Sequence, residues 1–299
     1  MASKFGLNYH LKVTTPEAEI EIDPPFTLEF SIMRNDLSSA NTAALRIYNL
    51  GEQNRNLIRQ APSDYGRMSH VQVQLNAGYG DDLPMIFRGY ATEAWSVREG
   101  VNFITDLECL DGGGAFITPN INMTFQAGTP ISSVISAMID SMVSQTIGIA
   151  KGVIGNFEGT LDRAQSYSGD AFKVLNEITG GCVFIDNGIV NCLKNNEFFE
   201  QSVLEISNET GLLNTPKLEW PRVICDVLFE PHFTVGQKVS LMSLTAKQFN
   251  TTVQGRPENK PYKIISIAHK GIIAPTISGP TVTTVGLLDA EFFDFEVTA

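Results

Sequence analysis

A two-residue hydrophobic period runs through both ends of this chain and demands extended structure there. In FTLEFSI, Phe26, Leu28, Phe30 and Ile32 share one face while Thr27, Glu29 and Ser31 share the other. That is the pattern of a half-buried antiparallel strand. Similar runs follow at 71–79 (VQVQLNAGY), 85–97 (MIFRGYATEAWSV) and 101–110 (VNFITDLECL). Tyr79-Gly80-Asp81-Asp82 and Arg98-Glu99-Gly100 supply hairpin turns between them. Successive strands with short turns close most readily as a small barrel or sandwich, because closure removes unpaired edges.

One segment changes period in mid-run. In NTAALRIYNLGEQNRNLIRQ (41–60), Ala43, Leu45 and Ile47 alternate with Ala44, Arg46 and Tyr48. Asn49-Leu50-Gly51 then breaks the strand, and Glu52 to Gln60 reads as a short amphipathic helix with Leu57 and Ile58 inward. Neither piece carries a catalytic residue type in a recognisable arrangement.

The pattern shifts near DGGGAFITP (111–119), which marks a boundary. Thr129-Pro130 opens the clearest helix, with Thr placed to cap free amides and Pro suited to the first turn. Ile131, Val134, Ile135, Met138, Ile139 and Met142 fall on one helical face. The Gly-rich stretch 147–156 reads as a loop or short strand. A second helix runs from Ser168 or Asp170 to Ile178, with Phe172, Leu175 and Ile178 inward. The hairpin CVFIDNGIVNCL turns at Asp186-Asn187-Gly188, residues that accept positive φ. From about 206 strand periodicity returns at 223–229, 237–243, 262–271 and 281–288. The polar segment 245–261 (TAKQFNTTVQGRPENKP) reads as a long loop, a contact arm or mobile flap.

Bulk composition narrows the function. A chain of 299 residues, 43% hydrophobic, can bury a substantial core in two or three domains. Only 18% is charged, against roughly 25% in an average globular protein, which suits a surface partly covered by other chains. The net charge of -12 disfavours nucleic-acid binding through a basic patch. Cys109, Cys182, Cys192 and Cys225 lack zinc-ligand spacing and sit among apolar residues, which suits buried reduced thiols and assembly in a reducing cytoplasm. The N-terminus lacks a signal-peptide apolar region, and no apolar run approaches the roughly 20 residues of a membrane span.

Candidate chemistry is sparse. DGGG (111–114) is followed by no Lys-Ser/Thr helix start, so it is a linker rather than a phosphate loop. Glu17, Glu19, Glu21 and Asp23, like Glu291, Asp294 and Glu296, alternate as the wet face of a strand does, whereas a calcium loop packs its oxygens more closely. His10, His70, His232 and His269 are scattered, and there is no G-x-S-x-G, no H-E-x-x-H and no triad spacing. Ser168-Gly169-Asp170 reads as a helix start. A glycosidase needs only two carboxylates, which 33 Asp and Glu always permit, so a tail-associated hydrolase stays open without specific support. Trp95 and Trp220 read as core or interface anchors. The expectation is no enzyme activity, no cofactor and no metal.

The ordered motifs resemble those of bacteriophage baseplate hub proteins, contractile-tail and late-control-like, over almost the whole chain. Ile47, Asn49, Leu50, Arg55, Leu57 and Ile58 match the strand-to-helix ending, and Gly78, Gly80, Asp81, Ile86, Phe87 and Gly89 match a G-Y-G-D turn and its strand. FQAGTPISSVISAMI and SYSGDAFKVLNEITGGCVFIDNGIVNCL follow in the family's order. Gly211, Leu212, Pro216, Leu228, Pro231, Gly236 and Val239, then Tyr262, Lys263, Ile264, Ile267, His269 and Gly271, match the start and later strand of a second barrel. The resemblance implies an α+β, β-rich fold: a tube-like antiparallel β-barrel over 1–115 with a short helix at 52–60, a small α+β domain over 116–205, and a second tube-like barrel over 206–299. It implies a structural homotrimer in the baseplate of a virion tail, assembled in the host cytoplasm. Six barrels would form a ring joining a hexameric tail tube to a trimeric spike, possible contacts including the tape-measure protein. DNA would pass the lumen without specific binding, helped by a trimer charge of 3 × (-12) = -36. The hub of a phage-derived injection or secretion particle shares this architecture.

Overall fold

A computed structural model describes residues 4–37, 39–60, 71–112, 119–219, 221–243, 245–248, 251–254, 261–276 and 278–289. In chain order the N-terminal elements are β1 (Leu7–Thr14), β2 (Glu19–Ile22), β3 (Leu28–Asn35), β4 (Thr42–Tyr48), α1 (Glu52–Gln60), β5 (Gln72–Tyr79), β6 (Met85–Glu99) and β7 (Asn102–Leu110). The middle section holds β8 (Asn120–Phe125), α2 (Ile131–Gln145), β9 (Ala150–Ile154), β10 (Gln165–Asp170), α3 (Ala171–Thr179), β11 (Val183–Asp186) and β12 (Ile189–Cys192). Then come β13 (Leu204–Ile206), β14 (Lys217–Glu219), β15 (Arg222–Leu228), β16 (Lys238–Leu241), β17 (Thr245–Gln248), β18 (Thr251–Gln254), β19 (Pro261–Ile273) and β20 (Val282–Asp289).

The fold is β-rich, dominated by one large, mainly antiparallel sheet. Its strands run β18-β17-β14-β15-β20-β19-β3-β4-β7-β6-β5-β1-β2, with β16 and β13 branching from β19. The N-terminal and C-terminal halves meet in a full ladder: β19 pairs β3 antiparallel from Ser266↔Asn35 to Ile273↔Leu28. Periodicity alone suggests two separate sheets, whereas the halves share one. Among the described residues no ladder closes either half into a ring.

Three apolar cores follow the chain. The first gathers Leu11, Phe30, Leu45, Ile47, Phe87 and Leu107, and it also takes in Phe229 and Ile273 from the far end of the sequence. The second wraps α2 and α3 around β11 and β12. The third holds Val223, Val239, Ile264, Ile267, Val285 and Leu287. The helical face expected for α2 is buried at Val134, Ile135, Met138, Ile139 and Met142. Asp170 caps α3 by accepting from the Lys173 amide at 2.8 Å.

Two local expectations need correction. Thr129 does not cap α2; its hydroxyl donates to the Gln126 carbonyl at 2.8 Å, and Pro130 occupies the cap with no side-chain bond. A hydroxyl facing backward satisfies a loop carbonyl and cannot also reach the helix amides. The segment 245–261 is not a plain loop: β17 and β18 pair as a hairpin from Thr245↔Gln254 to Gln248↔Thr251, and β19 begins at Pro261. Its polarity suggests loop, but the β-branched Thr251, Thr252 and Val253 favour extended backbone. Residues 249–250 and 255–260 lie outside the described residues, as do His70, Trp220 and the acidic C-terminal cluster.

Candidate functional site

The strand-to-helix device at 47–58 is a docking joint. Ile47 is buried at the end of β4, and Asn49 then takes a left-handed conformation, φ 61°. Asn tolerates that region because its short side chain can bond locally. Here its backbone N–H makes one bond to β7 and its side chain makes two. The Asn49 amide donates to the Phe103 carbonyl at 2.6 Å, its Oδ1 accepts from the Phe103 amide at 3.0 Å, and its Nδ2 donates to Asn102 Oδ1 at 3.1 Å. Leu50 is buried, and Ile58 and Leu57 of α1 pack on the first core. The Arg55 guanidinium lies 3.9 Å from the centre of the Phe103 ring. One β7 residue therefore receives both the turn and the helix.

The other motif residues serve close backbone approach and core filling. A Cβ at Gly89 would stand 2.5 Å from the Leu110 carbonyl oxygen, so β6 and β7 meet closely only because glycine is there. Gly78 faces the Asp82 carbonyl in the same way, beside the turn that holds Gly80 and exposed Asp81. Ile86 and Phe87 are buried. In the C-terminal half Pro231 is buried, the Gly236 amide donates to the Ile264 carbonyl at 2.7 Å, and Tyr262 packs against the third core.

Two motifs that are distant in sequence meet at Phe229. His269 stands edge-on to its ring at 5.4 Å, Tyr79 and Phe30 flank it at 6.1 and 5.9 Å, and the Tyr79 hydroxyl donates to the Phe229 carbonyl at 3.0 Å. His269 is fully buried, with Nδ1 2.9 Å from Thr283 Oγ1 and no hydrogen-bond partner on Nε2. Burial first, and nearby Arg34 second, push its pKa down to about 3, so the ring is neutral.

Beside it lies a buried polar joint between all three cores. Arg34 of β3 forks onto Asp186, Nε to Oδ1 at 2.7 Å and Nη2 to Oδ2 at 2.6 Å, while Nη1 donates to the Phe233 carbonyl at 3.4 Å. Asp111 accepts from the amides of Asn187 and Gly188 at 2.5 and 2.7 Å. Asn41 donates to the Ile185 carbonyl at 2.9 Å, and Asn187 Oδ1 accepts from the Arg88 amide at 2.9 Å. The β11–β12 turn enters this pocket with Asn187 and Gly188 both at positive φ. Burial, then the neighbouring Asp186, push the Asp111 carboxyl up to about 7 against the pull of two amides and Arg34. Burial opposes the Arg34 charge, but Asp186 and Asp111 outweigh it and its pKa rises. Motif reading passes over Arg34, Asn41 and Asp111. One signal was available: Arg34 keeps phase with Leu28, Phe30 and Ile32, which places a cation on the core side of β3.

Among the described residues no helix covers the opposite face of the sheet. Across β6, β7, β4, β3, β19, β20 and β15 the register aligns Trp95, Asp106, Arg46, Glu29 and Ile272 in one row, and Glu93, Glu108, Ala44, Ser31, Lys270, Val282 and Leu228 in the next. With Asp226, Glu99 and Arg222, which keep phase with these rows, this face carries six carboxylates (Glu29, Glu93, Glu99, Asp106, Glu108, Asp226) and three cations (Arg46, Arg222, Lys270), a net of 3 - 6 = -3. Arg46 pairs with Asp106 at 2.8 Å. Burial, then Glu93 and Asp106, raise the Glu108 pKa. α1 sits on the other side, through Arg55 on Phe103, and α2 and α3 pack in the second core. Among the described residues no His/Cys/Asp/Glu group could hold a metal ion, and no helix is long and apolar enough to cross a membrane.

The baseplate hub gp41 family profile matches residues 9–256. The chain belongs to that family. No curated protein matches the sequence. Solved structures share its fold at low identity. A 43 kDa tail protein of prophage MuSo2 from Shewanella oneidensis is similar with a TM-score of 0.59 and 8% identity, over 94% of this chain and 97% of that one. A tail protein from Neisseria meningitidis MC58 gives 0.56 and 9%, over 95% and 97%. The E. coli c3393 protein, a type VI secretion component described as similar to the T4 tail proteins gp27 and gp5, gives 0.54 and 9%, over 93% and 76%. This baseplate hub chain therefore has the fold of tail proteins along nearly its whole length.

Proposed function

We propose that this hub protein is a structural adaptor of a contractile phage tail, working as a homotrimeric ring between the tail tube and the spike, with the tape-measure protein as a further contact. The single observation that carries this reading is the acidic sheet face, free of helices among the described residues, that crosses without a break from the N-terminal to the C-terminal half. A wall of that kind suits a pore. Its small and acidic residues offer DNA neither a basic track nor a base-reading group, so the polyanion slides. On this reading 1–115 and 206–299 are two tube-like barrels that share the β3–β19 ladder, 116–205 is the bracket gripped by the polar joint, and the motif residues hold these parts in register. The role is architectural rather than catalytic, and its place is the virion baseplate.

The test is a native mass of three chains, together with an electron-microscopy map of the tail tip showing this face toward the axis. A chain that stays monomeric at micromolar concentration with and without its spike defeats the reading, and so does a map with the face turned outward. The fold shared with the E. coli secretion component supports a second setting, a phage-derived injection particle, which neighbouring reading frames distinguish.

A further inference from the structure

Besides the β3–β19 ladder, the two halves of the chain meet through a cluster of charged side chains around His232. The loop after β15 carries Glu230-Pro231-His232, and the buried proline stiffens the backbone between the two ionisable groups. His232 Nδ1 lies 3.1 Å from Glu230 Oε1, and its Nε2 lies 3.2 Å from Asp82 Oδ2 in the turn between β5 and β6. Glu230 is held from two further sides. Its Oε1 also accepts from the His232 amide at 3.4 Å, and its Oε2 pairs with Lys4 at 3.0 Å. Lys4 in turn donates to the Thr210 carbonyl at 2.9 Å. Tyr79, whose hydroxyl reaches the Phe229 carbonyl, and Asp81, next along the turn, are the neighbouring ionisable groups.

Both ring nitrogens of His232 thus face carboxylate oxygens. A carboxylate only accepts, and neutral imidazole has one N–H, so both contacts are hydrogen bonds only when the ring carries two protons. The charges agree: Lys4 leaves one of the two carboxylates uncompensated, and a proton on His232 balances it. Imidazole is the ordinary side chain that changes charge between pH 5 and 8. With one proton left, the ring keeps Nδ1–H on Glu230, which the His232 amide and Lys4 fix in place. The bare lone pair on Nε2 then faces Asp82 Oδ2 and repels it.

We propose that His232 is a proton-operated clasp between the halves: charged, it holds the β5–β6 turn to the loop after β15, and neutral, it lets Asp82 go. The device works within one chain and does not depend on the trimer reading. The β3–β19 ladder stays paired in both states, so the change is local.

Nitrogen NMR of the full-length chain, labelled at histidine, reads the ring directly. His232 is expected with both nitrogens protonated at about pH 5 and with a proton on Nδ1 alone at about pH 8. Hydrogen exchange reads the turn. After correction for intrinsic rates, protection of the Tyr79, Gly80 and Asp82 amides falls about fivefold over that range, the scale of a surface ion pair. His232→Gln cannot take the charge and Asp82→Asn has none to be repelled, so in each variant the protection stays flat. Both side chains stand on the surface, and unchanged melting temperatures at about pH 8 show that the variants fold. A fall that persists in His232→Gln belongs to another group, such as the His10–Asp23 pair, and overturns the clasp. So does a His232 ring whose protonation stays the same across the range.

Discussion

At the residue scale the strongest commitments are the buried polar and charged side chains. Arg34 neutralises Asp186, which is 5% exposed, and lies beside Asp111, which is 1% exposed and holds its proton up to about pH 7. Arg34→Met strands Asp186 and is expected to lower unfolding free energy by roughly 3–5 kcal/mol in urea titration, the usual penalty for breaking a buried pair. His269 and Asp111 act oppositely with pH. The folded chain keeps His269 neutral down to about 3, whereas the unfolded ring takes a proton near 6.5, so its contribution is lost as pH falls through that window. Asp111 holds its proton up to about 7 when folded but releases it near 3.9 when unfolded. Its contribution is present at acid pH and is lost as pH rises toward 7. The two slopes largely cancel between pH 4 and 6.5. Asp111→Asn removes one of them, so stability curves of this variant should fall more steeply on acidification than wild type, by up to about 1.4 kcal/mol per pH unit. Parallel curves for variant and wild type refute the assignment.

At the element scale the loop-to-helix joint invites a graded test. Asn49→Gly keeps the left-handed backbone and loses the side-chain bonds to Phe103 and Asn102, whereas Asn49→Ala loses both. Thermal melts should rank wild type above Gly and Gly above Ala, with Ala lower by roughly 2 kcal/mol. Gly89→Ala pushes a methyl into the Leu110 carbonyl and should open the β6–β7 ladder, visible as faster exchange at the Tyr90 and Leu110 amides. Strands and helices of this kind were legible in the sequence because their period reports directly which face is buried: β3, β5, β7, α2, α3 and the Asp186-Asn187-Gly188 turn all follow from it. The polar joint was not legible, since Arg34, Asn41, Asp111 and Asp186 are single residues whose meeting depends on tertiary approach over as many as 152 positions. The β17–β18 hairpin hid for another reason. A strand with few apolar side chains gives period analysis little to read.

At the scale of the whole molecule, the acidity of the open wall should make DNA retention weak and independent of sequence. Fluorescence anisotropy with duplex DNA at low salt is expected to show no saturable binding to the assembled protein; tight binding would contradict a sliding pore. The weld between the halves has a further effect, felt while the polypeptide is still being made. Phe30 and Ile32 lie in a strand whose neighbour, β19, is translated more than two hundred residues later. Until those late codons are read, β3 waits with one side bare and the first core lacks Phe229 and Ile273. The ribosome thus releases a chain that can complete its N-terminal half only after almost everything else has emerged. Premature termination before residue 261 should yield aggregates rather than a smaller soluble hub.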